Sequence, residues 1–402
     1  MREKSLKTWL VEPRDPLVFR DGKPFTGVPG ARAKSVPFPY PSTLAGAVRT
    51  RSAVLQHGGI FPDGDEQVIR QILSYQIVGP FLYDMKTDSL LLPAPRDALF
   101  TYIESSNERE ARLVPLQPTR AFDDVQTNLP NGLQLVAPVE LTRAKRHPRA
   151  PRFWNWEHLE TWLKAPHVQE RIPLHDWGLE DLLLDFRTHV GINSETRTAK
   201  TEEGALFQTG GLSFVRAPIK QHHAALGEAS QFALLIRTNA QPFEEGVGSL
   251  GGERRVVFWR RSEVELPTCP VEVRQQIAKH RRGRLVLATP AFFQKGFLPT
   301  WVLNHPSGVK LHIVAAAVPR PVHISGWDYE RRTPKPTRRL APAGSVYFFE
   351  IINGNTAAIE QFIEAIWMQP VSDDQDGPDC RYSDQHRRDG FGVALLGTWS
   401  KT

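Results

Sequence analysis

The stretch "SLGGERR" places Gly251 and Gly252 directly ahead of Arg254 and Arg255. A bend without Cβ atoms lets backbone N–H groups approach a phosphate closely, while neighbouring guanidiniums supply positive charge. A flexible hairpin with a solvated Glu-Arg-Arg tip fits the same residues. "RRDGFGVALLG" repeats the arrangement near the C-terminus, with Arg387 and Arg388 ahead of Gly390 and Gly392. Two further basic stretches stand out. "YERRTPKPTRR" carries five Lys or Arg from Arg331 to Arg339, and its prolines favour an extended arm. "RAKRHPRAPR" carries five from Arg143 to Arg152, directly before Phe153, Trp154 and Trp156. Runs of charge are most often solvated surface.

Catalytic patterns are absent: there is no HExxH, GxSxG or GxxxxGK[ST], and no recognisable pair of carboxylates. His57, His189 and the pair His222 and His223 have the chemistry for acid–base cleavage of RNA, but surface or core roles suit each of them too. "GVGSLG", Gly246 to Gly251, matches the GxGxxG pattern of dinucleotide sites, yet no strand precedes it and the "RRVVFW" after it favours a strand over a helix. No cofactor is expected. Cys269 and Cys380 are the only cysteines and lie in no CxxC or Cys/His spacing, so neither a disulfide framework nor a metal site is expected.

The elements that would position these residues can be read from periodicity. Leu6 to Val11 reads as a strand, followed by "EPRDPLVFRDGKPF", in which Pro13, Pro16 and Pro24 interrupt any ladder and Asp21-Gly22 favours a turn. Ser42 is placed to cap a helix with an apolar side through Leu44, Val48 and Leu55, leaving Arg49 and Arg51 toward solvent or a ligand. "SQFALLIRT", "ERRVVFW", "GRLVLAT" and "KLHIVAAAV" read as strands. "SVYFFEII" is a strand, "NGNT" a turn and helix start, and Ile359, Phe362, Ile363 and Ile366 share one helical face before the final strand "GVALLGTW". The fold class expected is α+β, with two ferredoxin-like domains over residues 1–215 and 216–402.

At 402 residues and 40% apolar content, the chain has enough material for a substantial core. A formal charge of +6 is compatible with a polyanionic partner. There is no signal-like or membrane-spanning apolar run, so a cytoplasmic protein is expected.

"EPRDPLVFRDGKPF", "PYPSTLAGAVRTR", "HVGINSETRTAKTEEGALF", "SLGGERR", "RRLAPAGSVYFFEI" and "GFGVALLGTW" occur in an order that resembles the Cmr-type RAMP subunit of type III-B CRISPR effector complexes. The resemblance spans nearly the whole chain. It implies a subunit that caps the 5′ tag of crRNA in antiviral defence, without nuclease activity. It also implies docking against the large polymerase-like subunit and a backbone RAMP subunit, with target RNA met only indirectly. The tag-holding face would map onto Arg14, Arg20, Lys34, Ser42, Arg49, Arg51, Gly251, Gly252, Arg254, Gly390 and Gly392, with Arg255, Arg387 and Arg388 beside them. Phe25, Phe38 and Tyr40 are candidate stacking partners for bases. Arg197 departs from the resemblance, standing where a small turn residue is usual. A crRNA-processing endoribonuclease of the RAMP superfamily shares the same fold and basic surface, and a general single-strand RNA binder is a third reading.

Overall fold

The computed structural model describes residues 5–20, 32–33, 35–62, 64–103, 109–119, 126–130, 132–140, 142–200, 206–216, 229–328, 333–374 and 385–399. The chain is α+β and forms two compact units from interleaved segments. Met1–Asp88, Asp181–Glu263 and His323–Arg338 make the first; Ser89–Glu180, Val264–Val322 and Arg339–Thr402 make the second. The expected cut between residues 215 and 216 therefore falls inside the first unit.

In the first unit, the strands Lys7–Pro13, Ile77–Asp84, Ser230–Thr238 and Val256–Ser262 lie side by side in the order fourth, first, third, second. Each pairs antiparallel with its neighbours. This is a ferredoxin-like sheet with one change. The first crossover runs through the helix Pro41–Gln56, but the second has no helix: it carries the strand Gly246–Ser249, which pairs antiparallel with Val256–Ser262. "GVGSLG" is therefore the rising arm of a hairpin, because the residues that follow it return along the same sheet.

The helix differs from its sequence reading in two respects. It starts at Pro41, with Tyr40 in the cap position, so Ser42 sits inside the first turn and caps nothing. Proline suits that first position because its missing N–H would lack a helical partner anyway. The buried stripe is Pro41, Leu44, Ala45, Val48, Arg49, Ser52 and Ala53, so Arg49 faces inward rather than toward solvent.

A second hairpin in this unit pairs Leu183–Val190 with Leu206–Ser213. In the turn beyond it, Asn193 Oδ1 accepts from the N–H groups of Glu195 and Thr196, at 2.9 and 3.3 Å, and Arg197 adopts φ +56. The unusual residue thus occupies the left-handed position of a tight turn.

The second unit repeats the strand order with Arg282–Leu287, Lys310–Ala317, Val346–Asn353 and Val393–Gly397, again antiparallel throughout. Here the helical crossover is the second one. Asn355 accepts from the Ala358 N–H at 2.8 Å and opens the helix Thr356–Ile366, which buries Ile359, Phe362, Ile363 and Ile366 as their spacing predicts. The first crossover contains only a short 3-10 turn, Trp301–Leu303, while the helix Val271–His280 precedes the first strand.

Residues 89–180 are tied to this second sheet by a buried charge network. Arg284 and Asp97 are each 1% exposed and form an ion pair. The same guanidinium donates to the carbonyls of Thr398 at 2.6 Å and Trp162 at 2.8 Å, and the Trp162 indole donates to Asp97 at 3.0 Å. Breaking such a pair from one side typically costs about 3–5 kcal/mol, since the remaining charge stays buried. Cys269 is also buried in this unit, and burial pushes its thiol up to about 12. No helix among the described residues is long and apolar enough to cross a membrane.

Candidate nucleic-acid interface

The loop after the first strand is held on both sides. Leu17 exchanges backbone hydrogen bonds with Leu212, at 2.9 and 2.7 Å, while the Gly252 N–H donates to the Val18 carbonyl at 2.7 Å. The Arg14 N–H donates to the Val256 carbonyl at 2.9 Å, and Asp15 accepts from the Val256 N–H at 3.3 Å. The Phe19 N–H donates to Ser35 Oγ at 3.1 Å, and that hydroxyl donates to the Gly210 carbonyl at 2.6 Å. Pro16 packs where a side chain on Gly211 would stand, 2.8 Å from its ideal Cβ. The opening loop thus lies between two hairpins, with Pro13 and Pro16 at places where no ladder donor is needed.

The glycine bend meets this loop directly. Gly251 has φ +78, and a Cβ there would come within 2.5 Å of the Val18 carbonyl oxygen, so both conformation and space demand glycine. Glu253 and Arg254 follow with φ +58 and +49, the paired left-handed conformation of a tight hairpin turn. The bend therefore presents its side chains outward: Arg254 is exposed, and Arg20 reaches across to pair with Glu253. Both partners of that pair are open to solvent, where ion pairs contribute about 0–1 kcal/mol.

Sequence reasoning missed a second cluster on the same hairpin. Phe258 and Arg260 share one face of their strand while Val257 and Trp259 are buried on the other. The guanidiniums of Arg14 and Arg260 lie 5.7 and 5.9 Å from the centre of the Phe258 ring. The buried carboxylate of Glu12 orients both, accepting from Arg14 at 3.0 Å and from Arg260 at 2.5 and 3.3 Å. Glu12 and Phe258 are directly opposite in the strand register. The alternation in "VVFWRR" places Phe258 and Arg260 on one face, but only the register brings Glu12 to them.

Other candidates serve the fold. Arg49 donates to the carbonyls of Ile72 at 3.1 Å and Tyr75 at 3.2 Å, where it closes the end of the helix Glu66–Leu73. Arg51 donates to the carbonyls of Glu244 and Val247 and sits 5.8 Å from the Phe243 ring; burial lowers its pKa. It braces the segment before the hairpin. Ser42 is half-buried, as are Phe38, Tyr40 and Arg255. Lys34 and Phe25 lie outside the described residues, as do His222, His223, Arg331 and Arg332. His57 is exposed just past its helix, and His189 Nε2 lies 2.8 Å from Thr209 Oγ1.

Arg387, Arg388, Gly390 and Gly392 belong to the second unit. There Gly390 and Gly392 are buried, with φ +95 and +81. The Gly392 N–H donates to Pro290 at 2.8 Å, its carbonyl accepts from Val371 at 2.9 Å, and the Gly390 carbonyl accepts from Thr289 at 2.8 Å. Arg387 pairs with Asp374 and lies 4.8 Å from the Trp301 ring centre, whereas Arg388 is exposed.

The profile of the family described as CRISPR-associated protein (Cas_Cmr3) matches residues 9–399. The chain belongs to this Cmr3 family. Among solved structures it is similar to a chain of the Type III-B Cmr-beta bound to cognate target RNA and AMPPnP, at 17% identity and TM-score 0.47, covering 94% of this chain and 91% of that one. A second structure, Type III-B Cmr-beta bound to cognate target RNA, gives 16% identity and TM-score 0.43, covering 85% and 86%. A chain of a Csm3-Csm4 subcomplex from the type III-A CRISPR-Cas interference complex gives 9% identity and TM-score 0.35, covering 98% and 100%. No curated protein matches the sequence.

Proposed function

We propose that this Cmr3-family chain is the subunit of a type III-B CRISPR ribonucleoprotein that holds the 5′ tag of crRNA without cutting it. The observation that carries the reading is the outward-facing arginine set on the first unit's hairpin. Arg254 is exposed at a turn fixed by Gly251, Arg20 is paired with a solvent-exposed carboxylate, and Arg14 and Arg260 flank an aromatic ring. Guanidiniums give charge-assisted hydrogen bonds to phosphate oxygens, and an aromatic face between them suits an unstacked base. This narrows the tag-holding set to Arg14, Arg20, Arg254 and Arg260, with Phe258 as a stacking platform. Arg49, Arg51, Gly390 and Gly392 hold the fold. In this role the chain bridges the large polymerase-like subunit and the backbone RAMP subunit in cytoplasmic antiviral defence.

The test is equilibrium binding of the purified full chain to labelled crRNA with and without the 5′ tag, run beside a cleavage assay on precursor crRNA. Tag-dependent binding with intact RNA is expected. Specific cleavage lost on substitution of His57 or His189 would assign the chain to the processing endoribonucleases, and equal binding to both RNAs would remove the tag assignment.

A further inference from the structure

The hairpin in the first unit that pairs Leu183–Val190 with Leu206–Ser213 has one strand with no neighbour on its outer side. Its sheet runs Leu183–Val190, Leu206–Ser213, Arg32–Ala33, so Leu183–Val190 is an edge among the described residues. Which of its backbone groups point outward follows from the inner strand. Leu17 exchanges hydrogen bonds with Leu212, and the Gly210 carbonyl accepts from Ser35, so these groups of the inner strand turn away from Leu183–Val190. In an antiparallel ladder such residues alternate with those that bond across it. Leu212, Gly210, Gln208 and Leu206 stand opposite Leu184, Phe186, Thr188 and Val190, which therefore turn their N–H and C=O groups to the open edge. No backbone hydrogen bond among the described residues meets those groups.

Natural edges are blunted by proline, bulges, inward charge or brevity. This one spans 8 residues without a proline or a shift of register. Leu184, Phe186, Thr188 and Val190 share one face, and its apolar members Leu184, Phe186 and Val190 are 48%, 54% and 42% exposed. The Phe186 ring covers Gly210, whose ideal Cβ would stand 3.0 Å from it, so the ring is seated on the sheet. On the opposite face, Leu183 apart, Asp185 pairs with Arg187 at 2.8 Å and His189 meets Thr209 at 2.8 Å. The polar side chains there find partners within the hairpin.

The open edge repeats a donor and an acceptor about every 6.8 Å, two strand residues apart. Phosphate oxygens of an RNA strand accept from N–H groups but repel carbonyls, whereas a second polypeptide strand answers both. The opening loop, moreover, bonds to Leu212 from the other edge of the hairpin, so the open edge lies on the side away from that loop. We propose that Leu183–Val190 is a docking edge that takes an extended, proline-free segment of a partner protein as an added strand, with alternate apolar side chains packed beside Leu184, Phe186 and Val190.

The test is amide hydrogen exchange at residue resolution on the purified full chain, with and without an acetylated, amidated octapeptide of alternating threonine and valine. In the free chain the Asp185, Arg187 and His189 amides, bonded across the hairpin, are expected to exchange slowly and those of Leu184, Phe186, Thr188 and Val190 quickly. The peptide is expected to slow the second set saturably, and the same peptide N-methylated at every residue to leave it unchanged. Thr188→Pro deletes one outward donor without touching the bonds to Leu206–Ser213 and is expected to weaken peptide binding several-fold. Phe186→Ser, which strips the apolar face, is expected to do the same. Slow exchange at Asp185, Arg187 and His189 in each variant shows that the hairpin is intact. Unchanged exchange of the outward amides at millimolar peptide overturns the proposal, as does their protection by oligouridylate instead. Concentration-dependent dimerisation of the chain alone, abolished by Thr188→Pro, would give the edge to a second copy and overturn the partner assignment.

Discussion

The two glycine bends look alike in sequence and differ in structure. Gly251 and Gly252 precede Arg254 and Arg255 on an exposed turn, whereas Gly390 and Gly392 follow Arg387 and Arg388 into a buried strand entrance. In the first bend, glycine lets the turn lie against Val18 with Glu253 and Arg254 exposed. In the second, it lets the backbone pass through the core, where Pro290, Val371 and Thr289 take up its polar groups. A glycine beside arginines marks a close backbone approach, and only the environment decides whether the neighbour is a ligand or the protein itself.

That contrast can be sharpened by adding one methyl group to each bend. A Cβ on Gly392 would stand 2.8 Å from both the Ser372 amide nitrogen and its hydroxyl, at φ +81, so Gly392→Ala is expected to destabilise the second unit by about 2–5 kcal/mol. A Cβ on Gly252 would meet the Val18 carbonyl at an ordinary 3.5 Å, and Gly252→Ala is expected to cost less than about 1 kcal/mol. Urea denaturation of both variants checks the pair; equal losses would erase the distinction.

A smaller effect concerns the acid beside the buried bend. Burial raises the Asp374 pKa above its ordinary 3.8 despite the opposing pull of Arg387. A folded-state value above the unfolded one means that the native protein binds more protons in this range. The resulting stability is present below about pH 3.8 and is lost as pH rises through the folded value. Asp374→Asn should remove that decline, so the stability difference between variant and wild type shifts in the variant's favour as pH rises from 3.5 to 6. Denaturant midpoints across the range measure it, and a constant difference would contradict the raised value.

Much of this fold was legible because it is locally written. Ile359, Phe362, Ile363 and Ile366 repeat at helical spacing, and an Asn-capped turn precedes them. The strands of both sheets read as apolar runs bounded by turn residues. The helix Val271–His280 was not legible: Pro270 occupies its cap position without a side-chain cap, and only Val273 and Ile277 are buried. The division into units was hidden for a different reason. Lys7–Pro13 pairs with residues beyond 230, and no local pattern specifies so distant a partner.

The site was half legible. The candidates Arg14 and Arg20 came from the family resemblance and Arg254 from its glycine bend, but nothing in the helix pattern shows that Arg49 turns inward to two carbonyl groups. Arg260 and Phe258 escaped because an arginine in a strand is unremarkable until the strand proves to be next to Glu12. Buried carboxylates that orient exposed guanidiniums become visible only once the sheet register is known.

The central claim is that the exposed bend, and not the buried one, meets the RNA backbone. The most direct measurement is the salt dependence of tagged crRNA binding by wild type, Arg254→Ala and Arg388→Ala. Arg254→Ala is expected to lower the log–log slope by about 0.7, one phosphate's worth for a single strand, while Arg388→Ala leaves it unchanged. An unchanged slope for Arg254→Ala with a reduced slope for Arg388→Ala would contradict the account.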